Sequence, residues 1–248
     1  MPTVRLIDSH CHLHDQEWFT PEQAEKAIER AHAAGIEKIV CIGTDHEDSM
    51  AAHDFATAHK GVYWTYGFHP ENCNKPFDYK LKKGDLPVAI GEVGLDYHYN
   101  DYDRKKQIKL FEQMLQLAVD NDLPVSFHIR EAFTDFFPVV ANFPSVRGVV
   151  HSFTDSKKIL KRILNETEFF IGVNGLATYS TLPTPPLERI LLETDAPFLA
   201  PIPYRGETNE PAYIAEIARW LSTKLELSIE EVAKVTTDNT ETLFGLTS

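Results

Sequence analysis

Residues 8 to 14 read Asp-Ser-His-Cys-His-Leu-His and follow directly on the apolar run Val4-Arg5-Leu6-Ile7. That run has strand character, and strand side chains alternate between faces, so Asp8, His10 and His12 share one face while Ser9, Cys11 and Leu13 share the other. Neutral imidazole nitrogens converging at a strand end suit a borderline divalent metal. Other apolar runs end in the same way, in His69, Glu92, His128, His151 and Asp195. One strand-end histidine taken alone reads as a hydrogen-bonded structural residue. Several imidazoles and carboxylates in one cavity are different, because each uncompensated buried ion costs several kcal/mol and a cation is the simplest compensation. His10, His12, His128 and His151 with Glu92 and Asp195 offer nitrogen and oxygen but no thiolate, which points to Zn²⁺, Mn²⁺ or Mg²⁺. These ligands exceed one tetrahedral site. Two divalent ions are therefore expected, one held mainly by His10, His12 and Asp195, the other mainly by His128 and His151, with Glu92 bridging or shared.

A scaffold must bring these distant residues together. Strand-like runs occupy 4–10, 38–43, 62–69, 88–94, 124–129, 148–153, 169–175 and 189–195. Between most of them lie segments of helical period, such as PEQAEKAIERAHAAG, with Pro at its start and Gly at its end, and DRKKQIKLFEQMLQLAVDND. This alternation calls for parallel strands joined by crossover helices. Eight repeats in this length favour an α/β fold of one (β/α)8 TIM barrel spanning 1–248 over an open doubly wound sheet. No GxGxxG or GxxxxGK fingerprint follows the first strand, which removes the main support for a nucleotide-binding open sheet. Pro183, Pro185 and Pro186 disallow a continuous helix, so the seventh crossover helix is expected to be shortened or missing, leaving a thin wall for a partner or substrate edge to cover. Ser228 and Glu231 form a capping box for a last helix ending near Gly245.

In such a barrel the C-terminal strand ends share one rim, where active sites lie. Face parity sends the candidates inward: Ser126 aligns with His128, Val149 with His151, Ile90 with Glu92, and Leu191 and Glu193 with Asp195. Asp8 and Glu193, below the rim, are expected to orient ligand imidazoles. Composition bounds the partners. The chain of 248 residues is 43% hydrophobic and carries 24 Lys and Arg against 37 Asp and Glu, a formal charge of -13, so any polyanion must be held locally rather than by overall attraction. Cys11, Cys41 and Cys73 fit reduced thiols in a cytoplasmic protein better than a disulfide framework. No segment reaches the roughly 20 apolar residues of a membrane span, and a monomer is expected.

HCH, GEVGLDY, SFHIR, GVVHSFT, LLETDAPFLAP and PYRGETNEP, in that order between positions 8 and 211, resemble the TatD-type metal-dependent deoxyribonucleases of the amidohydrolase-like barrel superfamily. The closing TTDNTETLFG is similar to that family's C-terminal signature. The resemblance implies a divalent-metal phosphodiesterase acting on DNA, with His10, His12, Glu92, His128, His151 and Asp195 on the ligand positions. Three departures stand out. Glu71 occupies the place after His69-Pro70 where a second histidine is usual, the Pro-rich 181–186 segment replaces a longer crossover, and His14, expected at the surface, stands where an acid or Asn is common.

Phosphodiester hydrolysis needs an activated water, charge neutralisation and help for the leaving oxygen, and divalent ions can supply all three, lowering the pKa of a water to about 7. Asp195 is the candidate general base, with Glu92 as the shared carboxylate. His69, Arg130, Tyr97 and Arg205 are the candidate substrate contacts: His69 for phosphate or a place beside the metal, Arg130 for phosphate, Tyr97, beside Tyr99, for stacking unpaired bases, which favours single-stranded or frayed 3′ ends, and Arg205 for DNA beyond the eighth strand. Two other readings remain: a metal-dependent hydrolase of a small ester, lactone, amide or phosphoester, and a non-catalytic metal-stabilised scaffold.

Overall fold

The computed structural model describes residues 4–77 and 80–246; the outermost residues of the expected 1–248 domain lie outside this range. Strands β1 (Leu6–Cys11), β2 (Ile36–Cys41), β3 (Val62–Tyr66), β4 (Ala89–Asp96), β5 (Val125–Arg130), β6 (Gly148–Val150), β7 (Phe170–Val173) and β8 (Ile190–Leu192) pair in parallel in sequence order. The cylinder closes through the segment after β8 rather than by a regular ladder. There Asp195 N–H donates to His10 O at 2.9 Å, His12 N–H to Ala196 O at 2.7 Å, and Ser9 Oγ to Leu192 O at 2.9 Å. The fold is a nearly closed TIM barrel with seven α-helices among the described residues.

The helices are α1 (Pro21–Ala33), α2 (His46–Ala58), α3 (Arg104–Asn121), α4 (Phe133–Val140), α5 (Lys157–Glu166), α6 (Ile214–Leu225) and α7 (Ile229–Phe244). Local chemistry sets their ends. Thr20 and Gln23 form a reciprocal capping box before α1, Ser228 caps α7 by accepting from Glu231 N–H, and Gly245 ends it at φ 67°. As the prolines dictate, the seventh crossover has no α-helix, only 3₁₀ turns at Gly175–Thr178 and Leu187–Arg189. On the side of the expected thin wall, Trp220 of α6 and Leu182 and Pro183 of the crossover line a small cavity together with Ile171 and Val173 of β7. Between β3 and β4 the described residues also hold no α-helix, only a 3₁₀ turn at Pro70–Asn72, a gap that strand-helix alternation did not signal.

Two apolar layers flank the strands. The larger packs Ile39, Ile90, Phe127 and Ile171 against helix residues such as Ala27, Phe111 and Phe136. The smaller lies inside the barrel, where Val40, Ala89, Val149 and Leu191 meet Leu243, Phe244 and Leu246 from the chain's end. Val149 and Leu191 thus point inward as parity requires. Ile90 does not: Ala89 takes the inner face, and the register irregularity between Ile90 and Val93 resets the alternation before Glu92. No described helix is long and apolar enough to cross a membrane.

Candidate metal centre

The structure brings His10, His12, Glu92, His128, His151 and Asp195 to one end of the barrel, where they line a cavity of about 720 Å³ or sit directly beneath it. Each comes from a strand end or the turn behind it. Asp195 adopts φ 58° and Ser152 φ 47°, so the chain turns sharply where β8 and β6 have ended and aims Asp195 and His151 back over the sheet.

Glu92 is the centre of the cluster. Its Oε2 lies 3.6 Å from His10 Nε2, while Oε1 lies 2.5 Å from His128 Nδ1 and 3.7 Å from His151 Nε2. Asp195 Oδ1 stands 3.7 Å from His10 Nε2 and 3.6 Å from His12 Nε2, and its Oδ2 stands 3.9 Å from His151 Nε2. Two donors each about 2.1 Å from one ion lie roughly 3–4 Å apart, which matches the separations around His10, His12, His151 and Asp195. His10 Nε2 is buried without a hydrogen-bond partner, an unmet nitrogen that a cation would satisfy. The donor set therefore fits a divalent ion there. On the other side the contact is tighter, because His128 Nδ1 hydrogen-bonds Glu92 directly.

Donor atoms fall within 4.8 Å of one another in three sets: His10, His151 and Asp195; His10, His12 and Glu92; His69, Glu92 and His128. This changes the expected partition. His151 stacks on His10, with ring centroids 3.5 Å apart, and lies 6.4 Å from the His128 ring, because the turn after β6 carries it toward β1. His69 stands beside His128, their ring centroids 4.3 Å apart, in the metal-proximal place that was one of its two expected roles.

A second layer fixes the rings. Ile42 O accepts from His12 Nδ1 at 3.2 Å, which turns Nε2 toward Asp195. Ser126 Oγ lies 3.4 Å from His10 Nδ1, and the buried Glu193 lies 3.1 Å from His151 Nδ1 while accepting from Ser152 N–H at 2.6 Å. Asp8 plays a different part from the one expected. It accepts from Thr194 N–H and Oγ1 at 2.9 and 2.5 Å and touches no imidazole, so it locks β1 to the segment after β8. Burial alone would raise the Glu92 and Asp195 carboxyls, but the surrounding imidazoles, His128 for Glu92 and His151 for Asp195, hold both below the ordinary carboxylate range. Burial and the neighbouring His151 lower His10, keeping a lone pair available.

Around this centre the expected substrate contacts divide. His69 and Arg130 line the cavity, and the Arg130 guanidinium sits 5.5 Å from the centroid of the exposed Tyr99 ring. Tyr97 and Arg205 do not line it. The Tyr97 hydroxyl donates to Asp135 at 2.8 Å and its ring stacks on Tyr102 at 4.5 Å, packing the loop against the barrel. Arg205 lies over the Tyr179 ring, 4.4 Å from its centroid. His14 is not at the surface: its buried ring meets Asp48 at 2.9 Å, and although burial lowers its pKa, that carboxylate and Cys41 push it up to about 10. Sequence reasoning missed Asp96, which stands 3.1 Å from His128 Nε2 on the cavity wall. The signal was present, since β4 continues through Asp96 and residues 92, 94 and 96 share a face.

Residues 7–245 match the family described as TatD related DNase. The chain is 32% identical over 256 residues to YabD of Bacillus subtilis (strain 168), an uncharacterized metal-dependent hydrolase, covering 97% of this chain and 99% of that protein. It is also 32% identical over 243 residues to the 3′-5′ ssDNA/RNA exonuclease TatD of Erwinia amylovora, covering 90% of this chain and 93% of that one. Among solved structures, the TatD homologue YJJV of Escherichia coli K12 superposes with a TM-score of 0.87 at 30% identity, covering 99% of this chain and all of that one.

Proposed function

This chain belongs to the TatD-related DNase family, and from that membership we propose that it is a nuclease that shortens single-stranded or frayed DNA from its 3′ end. As a member of that family it is a metal-dependent hydrolase. The nuclease reading rests on one observation above all: the Glu92 carboxylate faces His10 with one oxygen and His128 and His151 with the other, a bridging position at the floor of an open cavity.

Two divalent ions, Mg²⁺, Mn²⁺ or Zn²⁺, held by His10, His12, Glu92, His128, His151 and Asp195, would supply positive charge to the non-bridging phosphate oxygens and acidify the attacking water. Asp195 would accept the proton of the attacking nucleophile, its carboxylate set among His10, His12 and His151. Arg130, on the cavity wall beside Tyr99, offers two parallel N–H donors to a phosphate. Ile42 O holds the His12 ring, and the Glu193 carboxylate lies 3.1 Å from His151 Nδ1. A chain bearing a net -13 holds DNA through these local contacts and not through its overall field. Its free thiols Cys11, Cys41 and Cys73 suit a reducing cytoplasm.

The test is metal-stripped protein with single divalent ions added back, given 5′-labelled single-stranded DNA. A descending ladder is expected with at least one of the three ions, and Asp195→Asn should slow it by roughly 10²–10⁴-fold. Absence of any ion-dependent product rejects the reading, and turnover of lactone or carboxylic ester alone moves the substrate to that class.

A further inference from the structure

We propose that Trp18 and Phe198 form a stacking platform for an unpaired base of the substrate strand, next to the phosphate that reacts; this rests on the nucleic-acid reading above. Trp18 lies between β1 and α1, and Phe198 in the turn after β8. They are among the most exposed large apolar side chains, at 51% and 43%. Their rings meet edge to face with centroids 5.2 Å apart, and the Phe198 ring stands 6.3 Å from the ring of His12. Phe198 lines the same cavity as the candidate ligands. The pair is therefore within reach of the nucleoside that carries the reacting phosphate.

The exposure is built into a rigid turn. Phe198 N–H donates to Asp195 O at 2.8 Å, and Phe198 O accepts from Asn209 Nδ2 at 2.6 Å. Asn209 is fully buried, and the same Nδ2 donates to Thr194 O at 2.8 Å, so a buried amide clamps the turn that displays the ring. Trp18 N–H donates to Asp15 O at 3.2 Å. An apolar ring held in water on a fixed backbone, at the edge of a site, marks a surface that meets a partner. Base stacking is the interaction that suits this chain, since it tolerates any sequence and needs no excess of cations.

The other exposed large apolar residue on the cavity wall, Tyr99, lies with Arg130 beside β4 and β5, across the barrel from β8 and β1. A strand stretched over the centre thus meets an aromatic group on each side. Bases inside a duplex are already stacked and paired, so the platform selects unpaired ends.

The metal-loaded enzyme is to be assayed with oligo(dT) and with bis(2,2,2-trifluoroethyl) phosphate, an activated diester with no ring to stack. Phe198→Leu and Trp18→Leu should each raise the KM for oligo(dT) and lower the oligonucleotide-to-small-diester ratio of kcat/KM by about tenfold. An abasic residue scanned through the terminal positions should cost the wild type a similar factor at one position and cost Phe198→Leu nothing further there. Oligo(dT) should also quench the fluorescence of the wild type, and Trp18→Phe should lose that quench while keeping its far-ultraviolet dichroism. Equal ratios in wild type and variants, or an abasic penalty undiminished in Phe198→Leu, overturn the platform while leaving the nuclease reading intact. Wild-type turnover of the small diester with none of oligo(dT) overturns both.

Discussion

At the level of single residues the site depends on groups that touch other ligands as much as on the ligands themselves. Glu193 is fully buried, lies 3.1 Å from His151 Nδ1 and accepts from Ser152 N–H, with Asn174 Nδ2 at 3.4 Å. Its charge favours a His151 ring whose Nδ1 carries the proton and whose Nε2 lone pair faces Glu92 and Asp195. Glu193→Gln keeps the shape and removes the charge. It should weaken divalent-ion affinity by about 10–100-fold, measured by calorimetric titration, with little change in fold; an unchanged affinity would show that Glu193 only fills space. The candidate donors could be listed from residue type and position, yet the way their atoms group could not. The pairing of His151 with His10, and the recruitment of His69, follow from turn geometry beyond the last ladder hydrogen bond, where alternation no longer applies.

At the level of elements, β4 and β5 carry Glu92, Asp96 and His128, and Gly94 of β4 lies against the His128 backbone. Its φ is 152°, and a Cβ there would fall 2.0 Å from His128 O. Only glycine satisfies both conditions. Gly94→Ala should push β5 outward, cost roughly 1–3 kcal/mol in stability, and reduce metal affinity because His128 moves with its backbone. Denaturant melts paired with metal titration would check this, and a stable variant with wild-type affinity would contradict it. Strand positions were legible because apolar runs bounded by turn residues are local signals. Parity failed at Ile90, and the lack of an α-helix among the described residues of the third crossover was missed, because bulges and long loops are set by what the neighbouring strand requires.

At the scale of the whole molecule, the two ends of the chain are tied together beside the barrel's closed end. Lys38 Nζ donates to Glu241 at 2.6 Å and to the Leu246 carbonyl, and Arg5 also bonds Glu241. Burial would raise the Glu241 carboxyl, but the hydrogen bonds from Lys38 and Arg5 hold it below its ordinary value. A carboxylate depressed in the folded state contributes stability that is complete above its unfolded pKa of about 4.3 and fades as pH falls through the folded one. Glu241→Gln should therefore melt several degrees below the wild type at pH 7, a loss of about 1–3 kcal/mol. The gap should shrink once the pH drops below about 4. A gap of constant size across that range would mean that packing, not charge, holds the ends.

From the sequence alone came the barrel, the interrupted seventh crossover and the residues able to bind a metal, because hydrophobic period, proline chemistry and donor type are properties of short segments. Tertiary structure alone decided how the donors group, that Tyr97 and Arg205 turn away while Asp96 and Phe198 line the cavity, and that His14 is buried. These depend on the angles at which remote segments leave their strands, and no local pattern encodes an angle between residues far apart in the chain.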